Sequence, residues 1–409
     1  MQEDEKEVKG MTGAAARAGG APASLQSLLA HAWASGPFTA SDAMRATGLT
    51  RSTTIEATEQ LVELGLLQEL PDARAAGDYR TGRPARRFAL RDDAAVLVGI
   101  DAGNAHATVA VADLRAQMLH IERGALRSDR AGAAERREGI LALVDAALRA
   151  AGRDREAVLA VCAGVPAPVD RAGRSPAHGD GFWQRMNADL VDALDWAPLR
   201  RVANDAALAA VAEGAMGGAV GASDYVALLA GARLGAGVVV DGVLLHGAHG
   251  GVGEMVAFDH VEGVGSADGL GAHAAALARA AVASGSIPAS SPLARIPTAA
   301  LDGRAVLELA EAGDAHAAAI AEQVGAVLAR IVSVLASVYD PQRVIVAGAV
   351  SAGIATVVAA AGRAMPDRGH LPPPELLAST LGGDVVVLGA VAAARDDAVT
   401  GALRARRRA

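Results

Sequence analysis

Residues 98–113, VGIDAGNAHATVAVAD, return in altered form in residues 227–245 as ALLAGARLGAGVVVDGVLL. Each copy reads as a strand rich in Val, Leu, Ala and Ile, a turn containing glycine, and a second strand. This repetition constrains the fold more than any other feature, because it commits two separate stretches of the chain to the same unit of paired strands. Strand runs such as LAVCAGV and RVIVAGAVS alternate with helical stretches such as GILALVDAALRAA and residues 315–338. The alternation predicts an α/β architecture, closing with a strand DVVVLGA and a final helix that ends in LRARRRA. Glycine at a turn lets backbone N–H groups approach a phosphate, and two such turns facing across a cleft suit a nucleotide. Taken singly, each turn reads better as a hairpin whose glycine accommodates a positive φ.

Hydrophobic residues make up 52% of the 409, enough for large cores, while aromatics are only 2%, which argues against a surface that stacks single-stranded nucleic acid. A formal charge of -8 means that any contact with nucleic acid must come from a local patch. The one cysteine, Cys162, lies in the apolar run LAVCAGV, where a buried strand thiol is expected and no intrachain disulfide can form. The start MQEDEKEVKG has no apolar signal-like region, and no run of about eighteen uncharged apolar residues occurs. A cytoplasmic protein with no membrane partner is the expectation.

Residues 1–23 are charged and then rich in Gly and Ala, with no amphipathic period, and are expected to be a disordered leader. Residues 24–92 carry a different pattern. Leu25, Leu28, Leu29, Ala32 and Trp33 form a helical apolar stripe stopped by Gly36 and Pro37. Thr39 or Ser41 can cap a second helix ending at Gly48, and Thr50 or Ser52 a third, with Ile55, Leu61 and Val62 on its inner face and Gly65 at its end. This is helix-turn-helix spacing, followed by LLQEL and RRFAL as the strands of a wing. The stretch RTGRPARRFALRDD concentrates five arginines that would flank the third helix. Arg80, Arg83, Arg86 and Arg87 are candidate contacts to phosphates or a minor groove. Thr50, Arg51, Ser52, Thr53, Thr54 and Glu56 are candidates for the DNA-facing start of the third helix, with Arg51, Thr53, Thr54 and Glu56 as base readers. The region is not basic overall, so clustering rather than net charge supports double-stranded DNA as the partner.

In order, the helix-turn-helix with wing, GIDAG, GVPAPVD, VANDAAL, GAGVVVDGVLLHGAHGGVGE and DPQRVIVAG resemble the ROK family of sugar-responsive repressors and sugar kinases. The resemblance implies an actin-like α/β fold of two ribonuclease-H-like lobes over residues 93–409, preceded by an N-terminal winged helix-turn-helix, as in the repressor branch. In the family kinases, the Asp of an Asn-Asp pair is the general base on a sugar hydroxyl; Asn204 and Asp205 match that pair. Asp205 also sits where it could cap the helix that follows. Glu254 matches a sugar-contacting carboxylate.

Beyond Glu254 the family pattern breaks. Its Glu-x-Gly-His becomes Glu254, Met255, Val256, Ala257, and its zinc-binding cysteine run corresponds to EGVGSADGLGAHA, which has no thiol. His246, His249, His260 and His273 match no metal motif, so no metal is expected. The nucleotide turns keep Asp101, Gly103, Gly235, Gly237 and Gly348 but place Ala105 where kinases prefer Thr, and Ala232 and Arg233 where they prefer Thr and Gly. The expectation is a regulator without ATP turnover or other cofactor, probing a sugar or sugar-derived effector with Asn204, Asp205 and Glu254, and pairing as a homodimer or higher homo-oligomer on a DNA operator. The alternatives are an ATP-dependent sugar kinase with Asp205 as base, and a regulator whose second domain only dimerises or docks a protein.

Overall fold

The computed structural model describes residues 22–71, 85–126, 132–348, 353–367 and 371–406. Residues 1–21, with most of the expected leader, and Arg80 and Arg83 lie outside them. Two compact units divide the chain, one taking residues up to Val96 together with Asp113–Gln117 and Arg395 onward, the other Leu97–Ala112 and Met118–Ala394.

The first unit contains a winged helix. Helix α1 (Ala23–Ala34) buries Leu25, Leu28, Leu29, Ala32 and Trp33, the stripe anticipated from spacing. Strand β1 (Phe38–Thr39) leads into α2 (Ala40–Thr47) through a capping box in which Thr39 accepts from the Asp42 backbone and Asp42 from that of Thr39. Gly48 ends α2 at φ 69°, a left-handed cap. Thr50 then caps α3 (Arg51–Glu63). Strands β2 (Leu67–Leu70) and β3 (Arg87–Leu90) pair antiparallel as the wing, and β1 adds to β3, giving the sheet order β1-β3-β2.

The inner face of α3 is not the expected one. Ile55 and Val62 are 39% and 37% exposed, whereas Thr54, Ala57, Thr58 and Leu61 are buried. These four keep the i, i+3, i+4, i+7 period. Threonine can occupy core positions here because each hydroxyl is satisfied within the helix: Thr54 Oγ1 donates to Thr50 O at 2.8 Å and Thr58 Oγ1 to Thr54 O at 2.7 Å. Further anchors within this unit are Trp33 Nε1, which donates to Leu114 O at 2.8 Å, and Arg115, which pairs with Asp92 at 2.8 Å and donates to Ser35 O at 3.0 Å.

The second unit holds two lobes of the ribonuclease-H type, together an actin-like fold. In the first, β4 (Val96–Ala102), β5 (His106–Asp113) and β6 (Met118–Ala125) are followed by α4 (Ala133–Ala150), β7 (Val158–Val165), the short α5 (Phe182–Asn187) and α6 (Leu190–Ala193), β8 (Leu199–Asn204) and α7 (Asp205–Met216). The second runs β9 (Tyr225–Ala230), β10 (Leu234–Val240), β11 (Val243–Leu244), α8 (Leu270–Ala283), α9 (Pro292–Arg295), α10 (Gly303–Glu311), α11 (Ala315–Tyr339), β12 (Arg343–Ala347), α12 (Ile354–Ala364) and β13 (Glu375–Ala378), after which α13 (Val385–Arg406) begins against the sheet of the first. The sheet orders are β6-β5-β4-β7-β8 and β11-β10-β9-β12-β13, so each reads third, second, first, fourth, fifth. In each, the second and third strands pair antiparallel and the fourth and fifth parallel. The sequence repeat is therefore a repeat of topology.

The run DVVVLGA is not the expected strand. Val385, Val386 and Val387 begin α13 and are buried. Gly99 on β4 explains the close fit, because a Cβ there would lie 2.6 Å from a Val391 methyl and 2.8 Å from Val387 O. Burial on the first sheet overrides the weak strand preference of three valines. The fifth strand of the second sheet is instead β13, ELLA. Helix α11 is long and apolar enough by length and composition to cross a membrane, and its apolar side, from Ala317 through Leu335, packs in the core of the second lobe. Cys162 is buried in β7 as expected.

Candidate functional site

Within the second unit, β8 ends at Asn204 and α7 starts at Asp205. Asn204, not Asp205, is the cap: its Oδ1 accepts from Ala207 N at 3.1 Å and its Nδ2 donates to Ala167 O at 3.2 Å, tying the helix to the GVPA segment. Asp205 is the first helical residue and uses one oxygen locally, accepting from Ala206 N at 2.8 Å. Strand β10 lies against this helix start. Gly237 permits it, since a Cβ there would fall 2.3 Å from Ala206 O. Gly235 and Gly237 thus sit within a strand as helix-packing residues rather than in the turn that precedes it, residues 231–233. Gly235 bridges to Glu254, and Ala236 N donates to Gly253 O at 3.0 Å, which zips GGVGE onto β10.

Asp101 and Glu254 both lie close enough to Asp205 for their charges to act on it. Burial pushes Asp205 from 3.8 to about 7, with the charges of Asp101 and Glu254 adding to it. Asp101 is pushed to about 6, first by burial and then by the negative charge of Asp384, against the pull of Arg136. Burial also raises Glu254, while Arg233 opposes the rise. Such carboxylates can accept a hydroxyl proton near neutral pH. Beside Asn204 opens a cavity of about 300 Å³ whose lining includes Asp170, Arg171, Arg201 and His246. His246, one of the four histidines that match no metal motif, is thus part of a cavity wall.

Arg136 was not anticipated at all. Its side chain is buried on α4 and donates to Ala102 O at 2.5 Å, Gly103 O at 2.8 Å, Asn104 O at 3.1 Å and Met186 O at 3.3 Å. Burial lowers its pKa to about 10, with Asp101 opposing. One planar guanidinium therefore fixes the whole first glycine turn. Nothing in the sequence marks this arginine off from its neighbour Arg137. Gly348, at φ 124° after β12, sets its Cα where a Cβ would lie 3.0 Å from Ala230 O, so the third glycine turn abuts the end of β9.

The family zinc site does not fit this chain: the single cysteine is enclosed in β7, and among the described residues no group of three or more His, Cys, Asp or Glu side chains is arranged to hold a metal.

In the first unit, Arg51, Ser52 and Glu56 are exposed on α3 and Thr53 is half-buried. The hydroxyls of Thr50, Ser52 and Thr53 cluster at the helix start, with Thr50 Oγ1 3.2 Å from Ser52 Oγ and 2.9 Å from Thr53 Oγ1. Thr54, expected among the base readers, is fully buried and cannot reach a partner. Arg86 is already engaged: it grips Glu69 with two nitrogens, at 2.7 and 2.5 Å, and stacks 5.2 Å above the Phe88 ring. That pairing raises the Arg86 pKa and lowers that of Glu69. Arg87 is half-buried at the start of β3.

A family model described as the ROK family matches residues 97–397. The chain belongs to the ROK family. No curated protein matches the sequence. Among solved ROK structures, a transcriptional regulator described as a homolog of the E. coli MLC protein superposes with a TM-score of 0.75 at 19% identity, covering 93% of this chain and 98% of its own. A ROK family glucokinase from Streptomyces griseus, solved with glucose and AMPPNP, gives 0.59 at 23% identity over 74% and 99%. The ROK hexokinase from Thermus thermophilus gives 0.52 at 25% identity over 74% and 98%. These likenesses bear on fold. The match to the regulator extends into the winged helix, because residues from 97 onward make up only about three-quarters of the chain.

Proposed function

We propose that this ROK protein is a cytoplasmic DNA-binding transcriptional regulator, a repressor, in which residues 24–92 bind an operator and residues 93–409 sense a sugar or sugar-derived effector. The observation that carries this reading is the winged helix whose third helix presents an exposed face headed by Arg51, a residue with no ion-pair partner among the described residues. Ser52, Thr53 and Glu56 share the DNA-facing start of that helix. Arg80, Arg83 and Arg87 supply phosphate contacts, while Arg86 serves as a strut of the wing. A homodimer pairs two half-sites. Asn204, Asp205 and Glu254 line the effector cleft, and binding there favours one lobe arrangement by differential affinity, which alters operator binding.

The test is selection of bound duplexes from a random pool at about 150 mM salt, where purely electrostatic binding is suppressed. An enriched inverted repeat, with discrimination at particular base pairs relaxed by Arg51→Ala, supports the reading; no enrichment overturns it.

One observation favours a second reading, ATP-dependent sugar phosphorylation: Asp205 stands at about 7, well matched to a general base. Against it stand Ala257 in place of the family histidine and Arg233 in the second nucleotide turn, its guanidinium 3.6 Å from Asp268. Phosphorylation of a hexose or N-acetylhexosamine that is abolished by Asp205→Asn would make the protein a kinase.

A further inference from the structure

The exposed face of α3 carries two residues that solvent does not favour, Ile55 near its start and Val62 near its end. Helical spacing places Arg51, Ser52, Ile55, Glu56 and Glu59 together, opposite the buried Thr54, Ala57, Thr58 and Leu61. Four of the five exposed residues are polar or charged. The fifth, Ile55, is 39% exposed, and a β-branched residue at a helix surface offers neither helix propensity nor hydration. Ile55 also borders a concavity of about 460 Å³ between α2, α3 and the wing, whose apolar lining includes Ala40, Met44 and Phe88 and whose polar lining includes Arg51. An apolar side chain one helical turn from Arg51, beside an apolar hollow, is placed to meet an apolar group on whatever α3 faces.

The face of a duplex open to a recognition helix offers one such group. Phosphates and base edges present charge and hydrogen-bonding atoms, which suit Arg51, Ser52 and Glu56; the C5 methyl of thymine is the apolar feature of the major groove. We propose that Ile55 is a specificity-determining residue that reads the C5 methyl of a thymine, close to the base pair contacted by Arg51 in each half-site. The inference rests on the DNA-binding reading above and adds to it a single atom group on the DNA.

Deoxyuridine, which pairs as thymine does but lacks the methyl, isolates that group. Starting from the selected operator, each thymine is replaced in turn by deoxyuridine and affinity is measured at fixed salt. Loss of one buried methyl corresponds to about a four-fold weakening. The expected result is such a loss at one thymine per half-site with the wild-type protein. With Ile55→Ala, the thymine operator binds more weakly and deoxyuridine at that position makes no further difference. The wild-type series involves no variant, so misfolding cannot imitate it. If an operator is found but deoxyuridine is tolerated at every position, or if Ile55→Ala still distinguishes the two bases, the assignment to Ile55 is wrong while the regulator reading stands. If no operator can be selected at all, the regulator reading fails and this assignment with it.

Discussion

Asp205→Asn should leave the protein more stable than the wild type in alkaline solution and remove much of its pH sensitivity. The Asp205 carboxyl stands at about 7 in the folded protein against 3.8 in an unfolded chain, burial being the main cause. From about pH 4 upward the unfolded chain gives up this proton while the folded one retains it, so stability falls as pH rises and levels off once the folded carboxyl has ionised, above about pH 8. The interval from 3.8 to about 7 corresponds to about 4 kcal/mol if the cleft stays rigid. Water entering the cleft as it charges lowers this to about 2–4 kcal/mol. Asparagine is neutral throughout and can still accept from Ala206 N through Oδ1, the contact Asp205 makes at 2.8 Å. It also relieves Asp101 of a neighbouring charge. Urea unfolding followed by circular dichroism, at about pH 5 and about pH 8.5 and matched ionic strength, isolates the effect as a difference of differences. The wild type should lose about 1–3 kcal/mol more than the variant across that interval, because only the part of the titration span above about pH 5 is sampled. Parallel pH curves for the two proteins, or a variant less stable at the higher pH, would refute the argument that Asp205 is held protonated by burial.

Other consequences can be checked independently. Arg136→Ala removes the donor that holds the carbonyls of residues 102–104 and should lower stability by about 2–4 kcal/mol in thermal or chemical unfolding; Lys, a single compact ammonium, should rescue little of it. Gly237→Val forces a side chain into Ala206 O and the Ala210 methyl, and should cost about 1–3 kcal/mol or more, with fluorescence or calorimetry as the readout. Thr54→Val keeps shape at a buried site and should leave operator discrimination unchanged, whereas Arg51→Ala relaxes it; competition binding with altered operators separates the two. Because Glu69 already neutralises Arg86, Arg86→Ala should flatten the salt dependence of operator binding less than Arg83→Ala does, measured as the slope of affinity against salt.

Local patterns carried a large part of this protein. The α1 stripe, the cap at Gly48, the wing strands and the doubled strand-turn-strand units were legible, and the N-terminal caps narrowed to Thr39 or Ser41 and Thr50 or Ser52, because each rests on neighbours within one helical turn or one hairpin. The repeat predicted two like strand-turn-strand units, and the two sheets that contain them have the same strand order. Family motifs pointed to Asp101, Asp205 and Glu254, and in the folded chain the charges of Asp101 and Glu254 both act on Asp205.

What the sequence could not determine depended on groups far apart along the chain. DVVVLGA has the composition of a strand, yet it starts a helix because the first sheet, formed nearly three hundred residues earlier, leaves room at Gly99 for α13 to settle there. Thr54 and Ile55 exchange their expected places because a threonine that bonds its own helix can be buried, and no pattern of hydrophobicity records that bond. Arg136 becomes the clasp of the first glycine turn, and Gly235 and Gly237 become packing residues, only when separate elements meet. The identity of a residue sets which interactions it can make; the tertiary fold decides which of them it makes, because burial and the arrival of distant partners outweigh preferences worth only about 1 kcal/mol locally.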